Sequence, residues 1–124
     1  MVRESLARWR GRECGTAGDG FYASFEGPAR AVHCAIELCE AVQALGMEIR
    51  AGVHVGECEL VDGFPFGLSV TTAARICASA GASQVLVSRT VKDLVSGSGL
   101  TFTDNGEHDL KGVPGPWRLY TASV

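Results

Sequence analysis

The sequence of 124 residues lacks any apolar run long enough to span a bilayer. It also lacks an excess of positive charge. Lys and Arg number 11 and Asp and Glu number 14, and the net charge of −3 argues against a general nucleic-acid-binding surface. Residues 1–12 hold four arginines and no apolar core of a signal peptide, so a secretory signal is not expected. These absences predict a cytoplasmic protein that engages neither membrane nor nucleic acid.

The cysteines form no C-x-x-C pair, and their number, five, is odd. A disulfide framework or a zinc site is therefore a poor interpretation. Free cysteine is among the most buried residue types, and we expect these side chains to act as small buried hydrophobes in a reducing compartment. They are Cys14, Cys34, Cys39, Cys58 and Cys77.

What is present is the composition of one ordinary domain, with 46% apolar and 20% charged residues. The pattern predicts a single domain over residues 1–124, with a mainly antiparallel sheet and helices on one face, an α+β fold. Helices are predicted over residues 2–10, from 28 to about 45 and over 67–79. A further short helix is predicted from a cap at Ser88 or Thr90 through Val95. Strands are predicted around a turn at 18–20 and over 48–55, 58–61, 84–87, 100–103 and 117–121.

Three segments carry a more specific signal, in this order along the chain: T-A-G-D-G-F at 16–21, R-A-G-V-H-V-G-E at 50–57 and G-E-H-D-L-K-G at 106–112. Between the last two, a helix carries A-A-R at 73–75. Together they resemble the class III adenylyl and guanylyl cyclase catalytic domain, of bacterial and particularly actinobacterial type. The resemblance covers nearly the whole chain. It implies the ferredoxin-like cyclase homology fold without the family's first strand, and residues 1–11 would be the remnant of the helix before the metal-binding hairpin.

The resemblance also implies a reaction, the conversion of ATP to 3′,5′-cyclic AMP and pyrophosphate in cyclic-nucleotide signalling, a lyase activity using two Mg²⁺ or Mn²⁺ ions. By its motif, Asp19 matches a metal ligand, although Asp is common in turns for local reasons alone. Arg75 matches the arginine that stabilises the transition state, against the alternative of a snorkelling surface residue. Lys111 matches a phosphate-binding lysine, and the alternative interpretation is a solvated loop lysine. Thr71 lies where the family orients the ribose.

Four features depart from the family pattern. No Asp precedes Asp19, so the first metal aspartate and its central strand are missing. The two purine-selector positions are occupied by Gly15 and Phe64, neither of which makes a charged contact. Thr71 is shorter than the usual ribose-orienting residue. Loss of the central strand would leave two strand edges unpaired, so we expect a rearranged sheet, strand exchange in a dimer, or a start that lies upstream of Met1.

Alternatives remain at this stage. Family members are head-to-tail dimers with sites between the subunits, so a homodimer or a heterodimer with another cyclase domain is expected, binding ATP more readily than GTP. Activity is expected to be impaired, and the chain could instead be an inactive regulatory, dimerisation or nucleotide-binding homologue. A generic ferredoxin-like domain with accidental similarity is a third interpretation. The three histidines are assigned structural or solvent-facing roles: His33, His54 and His108.

Overall fold

A computed structural model describes residues 2–17 and 20–124, with no side-chain description for 16 and 17. The helices are α1 (Val2–Arg8), α2 (Pro28–Ala44), α3 (Leu68–Ser79) and α4 (Arg89–Leu94). The strands are β1 (Arg12–Ala17), β2 (Gly20–Ser24), β3 (Ala51–Val53), β4 (Glu59–Val61), β5 (Phe64–Phe66), β6 (Val85–Ser88), β7 (Thr101–Asp109) and β8 (Pro116–Ser123).

Four strands form the main sheet, in the order β3-β6-β8-β7. Strands β3 and β6 run parallel, and the other two pairs are antiparallel. Two separate antiparallel hairpins, β1–β2 and β4–β5, stand beside this sheet. The predicted α+β architecture with a mainly antiparallel sheet is confirmed.

The two faces of the main sheet are covered by different helices. On one face, α2 and α4 bury Val32 and Val91 against Val87 of β6. On the other, α3 buries Ile76 against Leu86, the next residue along β6. Successive side chains of a strand point to opposite faces, so these two cores are separated by the sheet. The position of α3 differs from the expectation that all helices share one face.

Helix α3 reaches its face through a close approach to β3. A Cβ built on Gly52 would lie 2.8 Å from the carbonyl oxygen of Ala73 and would also meet the backbone of Cys77. Only a glycine leaves room for backbone atoms at this distance. The periodicity of α3 indicates that the helix is amphipathic, but not which side of the sheet it covers.

Helix α1 packs against α2, where Leu6 joins Cys34 and Leu38 in a small apolar cluster. An ion pair from Arg8 Nη1 to Glu37 Oε2 (2.5 Å) and a stack of Trp9 on His33 extend this contact. Burial raises the pKa of the Cys34 thiol to about 11, so it stays protonated as an apolar group.

The cysteine expectation holds only in part. Cys34 and Cys39 are buried, and all five thiols are free. Cys14 and Cys77 are half-buried, and Cys58 is exposed on the segment leading into β4. The burial expectation is therefore wrong for Cys58, which precedes a short strand whose three residues are all exposed.

Strands β3 and β2 each leave one edge without a partner strand within the described part of the chain. Strand β3 pairs only with β6, and β2 pairs only with β1, so the hairpin does not join the main sheet. This agrees with the expectation that two edges lack a neighbour. The unpaired backbone N–H and C=O groups of such an edge can pair with an additional strand.

We expect Gly52→Ala to lower the free energy of unfolding by about 1–3 kcal/mol, because the added methyl group must push the α3 backbone away from β3. Urea unfolding followed by circular dichroism measures this change. Gly81→Ala is the matched control, since its Cβ would have only the Gln84 side chain nearby, at 3.6 Å. Equal stabilities for the two variants would contradict the close approach.

Candidate active site

Helix α3 presents two of the predicted site residues on its outer face. The helix begins after Gly67, and Thr72 and Ile76 form its buried side. Thr71 and Arg75, one turn apart, are both exposed. Thr71 Oγ1 reaches the carbonyl of Gly67 at 3.5 Å. Among the residues that the structure describes, the Arg75 guanidinium has neither a hydrogen-bond nor an ion-pair partner, so it is available to an incoming anion.

Lys111 lies on the turn between β7 and β8. Its neighbours Leu110 and Val113 are buried in the same cluster as Ile76 of α3. The Lys111 turn and the Arg75 helix are thus fixed to one another through a shared apolar core. Lys111 is itself exposed, and the described ranges 2–17 and 20–124 hold no carboxylate paired with it. Two unpaired cations are therefore presented by elements that pack together.

The two predicted purine-selector positions lie on different hairpins, and Arg12 of one hairpin contacts the other. Phe64 begins β5, and Gly15 lies in β1 beside Tyr22 of β2. The Arg12 guanidinium carbon stands 4.6 Å from the centre of the Phe64 ring, and Arg12 Nη1 donates to the carbonyl of Gly63 at 2.9 Å. Arg12 is not among the site residues predicted from the sequence. No sequence motif marks Arg12, and the register shift in β1 is what places it on the same strand face as Gly15.

The predicted metal ligand, Asp19, lies outside the described residues. Within the described ranges no group of three or more His, Cys, Asp or Glu side chains converges on a point. These residues therefore do not fit a two-metal site by themselves.

The three histidines occupy three separate structural contacts. His33 stacks on Trp9, and His108 Nε2 lies 3.0 Å from Asn105 Oδ1. His54 packs edge-on against Trp117, and its Nδ1 lies 2.8 Å from Ser88 Oγ. These positions agree with the structural roles predicted for them. Burial lowers the pKa of His54, which favours the neutral ring.

Comparison with known proteins agrees with this geometry. A family model described as "Adenylate and Guanylate cyclase catalytic domain" matches residues 2–123. A solved adenylate/guanylate cyclase/hydrolase from Silicibacter pomeroyi superposes with a TM-score of 0.90 at 28% identity, over 98% of this chain and 76% of that one. The adenylyl cyclase CyaB from P. aeruginosa shares the fold, with a TM-score of 0.84 at 20% identity, over 99% of this chain and 76% of that one. The chain belongs to the adenylate and guanylate cyclase catalytic domain family.

Relatives known from sequence are longer. A Rhizobium meliloti protein named "Putative adenylate cyclase 3" is 30% identical over 138 residues, which is 95% of this chain and 24% of that protein. An uncharacterized protein of Mycobacterium tuberculosis is 33% identical over 102 residues, 80% of this chain and 35% of that protein. The chain thus spans a quarter to about a third of their lengths. In the described part of this chain, no helix combines the length and apolarity needed to cross a membrane.

The low pKa of His54 makes stability depend on pH. Between the usual histidine pKa of about 6.5 and the lower native value, the unfolded chain binds a proton that the native state does not. The free energy of unfolding should therefore fall as the pH drops through this window. His54→Gln, which keeps a polar group beside Ser88 without titrating, should reduce the loss between pH 7 and pH 5. Urea unfolding at the two pH values tests this, and identical losses for both proteins would contradict it.

Proposed function

We propose that this chain is a cyclase catalytic domain that binds a purine nucleoside triphosphate and converts ATP to 3′,5′-cyclic AMP and pyrophosphate. The ribose 3′-oxygen forms a bond to the α-phosphorus, the bond from that phosphorus to the β-phosphate oxygen breaks, and the hydroxyl proton is released. The observation that carries this proposal is the pair of unpartnered cations, Arg75 and Lys111, on elements that share one apolar core. The name of the Rhizobium relative supports ATP as the substrate.

Arg75 would stabilise the charge that develops on the phosphoryl oxygens. Its planar guanidinium matches two oxygens at once, and no described side chain competes for it. Such a group acts on the transition state more than on the bound substrate, so its loss lowers the rate of the chemical step. Thr71, one turn earlier on the same exposed face, would accept a hydrogen bond from a ribose hydroxyl, since its own proton is donated to the carbonyl of Gly67.

Lys111 would bind the leaving pyrophosphate. A lysine supplies a compact charge on a flexible stem, which suits phosphate oxygens of varying position. The turn around it is fixed by Leu110 and Val113 beneath, so the ammonium group projects from a rigid base.

Metal binding is proposed for Asp19, with Mg²⁺ or Mn²⁺ as the ion. Within the described residues, no group of three or more His, Cys, Asp or Glu side chains forms a ligand set, so the proposal for Asp19 rests on its motif. Mn²⁺ should support more activity than Mg²⁺, because Mg²⁺ demands near-ideal octahedral coordination.

Assembly into a dimer, with a second copy or with another cyclase domain, is proposed as the active form. The β4–β5 hairpin and the start of α3 leave large apolar side chains exposed, among them Leu60 at 71% and Leu68 at 57%. Exposed apolar groups clustered on one projection mark a contact surface. A site shared between two chains would take Asp19 from one subunit and Arg75 from the other.

A regulatory module is the second candidate. The observation in its favour is that the described residues present two cations without partners but no group of three or more possible metal ligands. Such a chain would bind nucleotide or pair with a complete cyclase domain without turning over substrate itself.

The test is turnover of ATP and GTP by the purified chain with Mn²⁺, read as cyclic nucleotide by chromatography. We expect slow formation of cyclic AMP, and Arg75→Ala should lower the rate about a hundredfold or more. Arg30→Ala, on α2 across the sheet, is the control and should leave the rate unchanged. A folded protein that forms no cyclic nucleotide would contradict the enzyme assignment and favour the regulatory module.

A further inference from the structure

We propose that Arg12 contacts the base of the bound nucleotide and allows this site to accept GTP as well as ATP. The inference rests on the proposed function, because it names the base-contacting residue of the same site. It extends that function by adding GTP to the substrates and by naming a polar contact to the base, which the side chains at the two selector positions do not offer.

An irregularity in β1 brings Arg12 to the face of the selector position. Arg12 pairs with Ser24 and Gly15 pairs with Tyr22, but the register shifts by one residue between Glu13 and Gly15. Residues three apart in a regular strand point to opposite faces. The extra residue removes this alternation, so Arg12 and Gly15 lie on the same face of the hairpin.

Two contacts fix the Arg12 guanidinium on the second selector position. Its carbon stands 4.6 Å above the Phe64 ring, a cation–π arrangement, and Nη1 donates to the carbonyl oxygen of Gly63 at 2.9 Å. Arg12 therefore joins the two selector positions, Gly15 by shared strand face and Phe64 by direct contact. A guanidinium that is stacked on a ring and hydrogen-bonded through one nitrogen loses little conformational entropy when a ligand binds.

The remaining donors of Arg12 are available. Across residues 2–17 and 20–124, no carboxylate pairs with this guanidinium, and its side chain is exposed. Gly15 adds no side chain at the selector position, and the Tyr22 ring lies 3.3 Å from where its Cβ would be. An arginine with unused N–H groups thus contacts one selector position and shares a strand face with the other.

The chemistry of the two purines gives this arginine a preference. Guanine presents two adjacent acceptors, N7 and O6, which an arginine fork contacts together. Adenine presents the N7 acceptor next to an amino group that is a donor, so only one of the two bonds forms. Arg12 should therefore add more to the affinity for GTP than to that for ATP.

The experiment measures the affinities of 3′-deoxy-GTP and 3′-deoxy-ATP, which lack the attacking hydroxyl and cannot be turned over. Each nucleotide displaces a fluorescent ATP analogue from the wild type, Arg12→Met and Arg12→Lys. We expect Arg12→Met to weaken the guanine nucleotide about tenfold and the adenine nucleotide by about threefold or less. Arg12→Lys keeps the charge without the planar fork and should lose most of the guanine preference as well. Arg30→Met is the control for loss of an arginine elsewhere.

The outcomes separate the two proposals. The wild type could bind nucleotide while Arg12→Met loses the same affinity for both purines, or loses none. Either result would overturn the base contact and leave the proposed function standing. A guanine preference retained in Arg12→Lys would overturn it too, because charge alone would then account for the effect. Failure of the folded wild type to bind either nucleotide would overturn the proposed function together with this inference.

Discussion

The close approach of α3 to β3 at Gly52 is the contact on which the arrangement of the site depends. Because no side chain separates the two backbones, α3 packs directly against β3, with Ile76 turned into the core. The opposite side of the helix then necessarily faces outwards, and it carries Thr71 and Arg75. The same core holds the turn of Lys111. Gly52 therefore positions the helix that carries Thr71 and Arg75 over the core that also holds the Lys111 turn.

Much of this could be predicted from the sequence. The apolar stripe of α2 and the proline at its start defined the longest helix, and ordered motifs indicated the family. The length of β7 could not be predicted, because Gly106 continues the strand through a bulge instead of ending it. Strand β5 also escaped prediction, since its F-P-F sequence contains a proline. Arg12 escaped because strand register depends on pairing, which a single strand does not reveal.

The two halves of the proposed site differ in what the described residues show. Arg75 and Lys111 are presented without competing partners, whereas Asp19, the predicted metal ligand, lies outside the described residues. Cationic groups bind a triphosphate even where chemistry is slow, because binding and transition-state stabilisation are separate contributions. In the proposed site, these two cations should therefore bind nucleotide whether or not turnover is fast.

Calorimetric titration of ATP into the purified chain tests this claim most directly. We expect saturable binding by the wild type, weakened about tenfold or more when Arg75 and Lys111 are both replaced by Ala, each variant being shown to be folded. Binding that is unchanged in the double variant, or absent in the wild type, would contradict the assignment of these two cations to a nucleotide site.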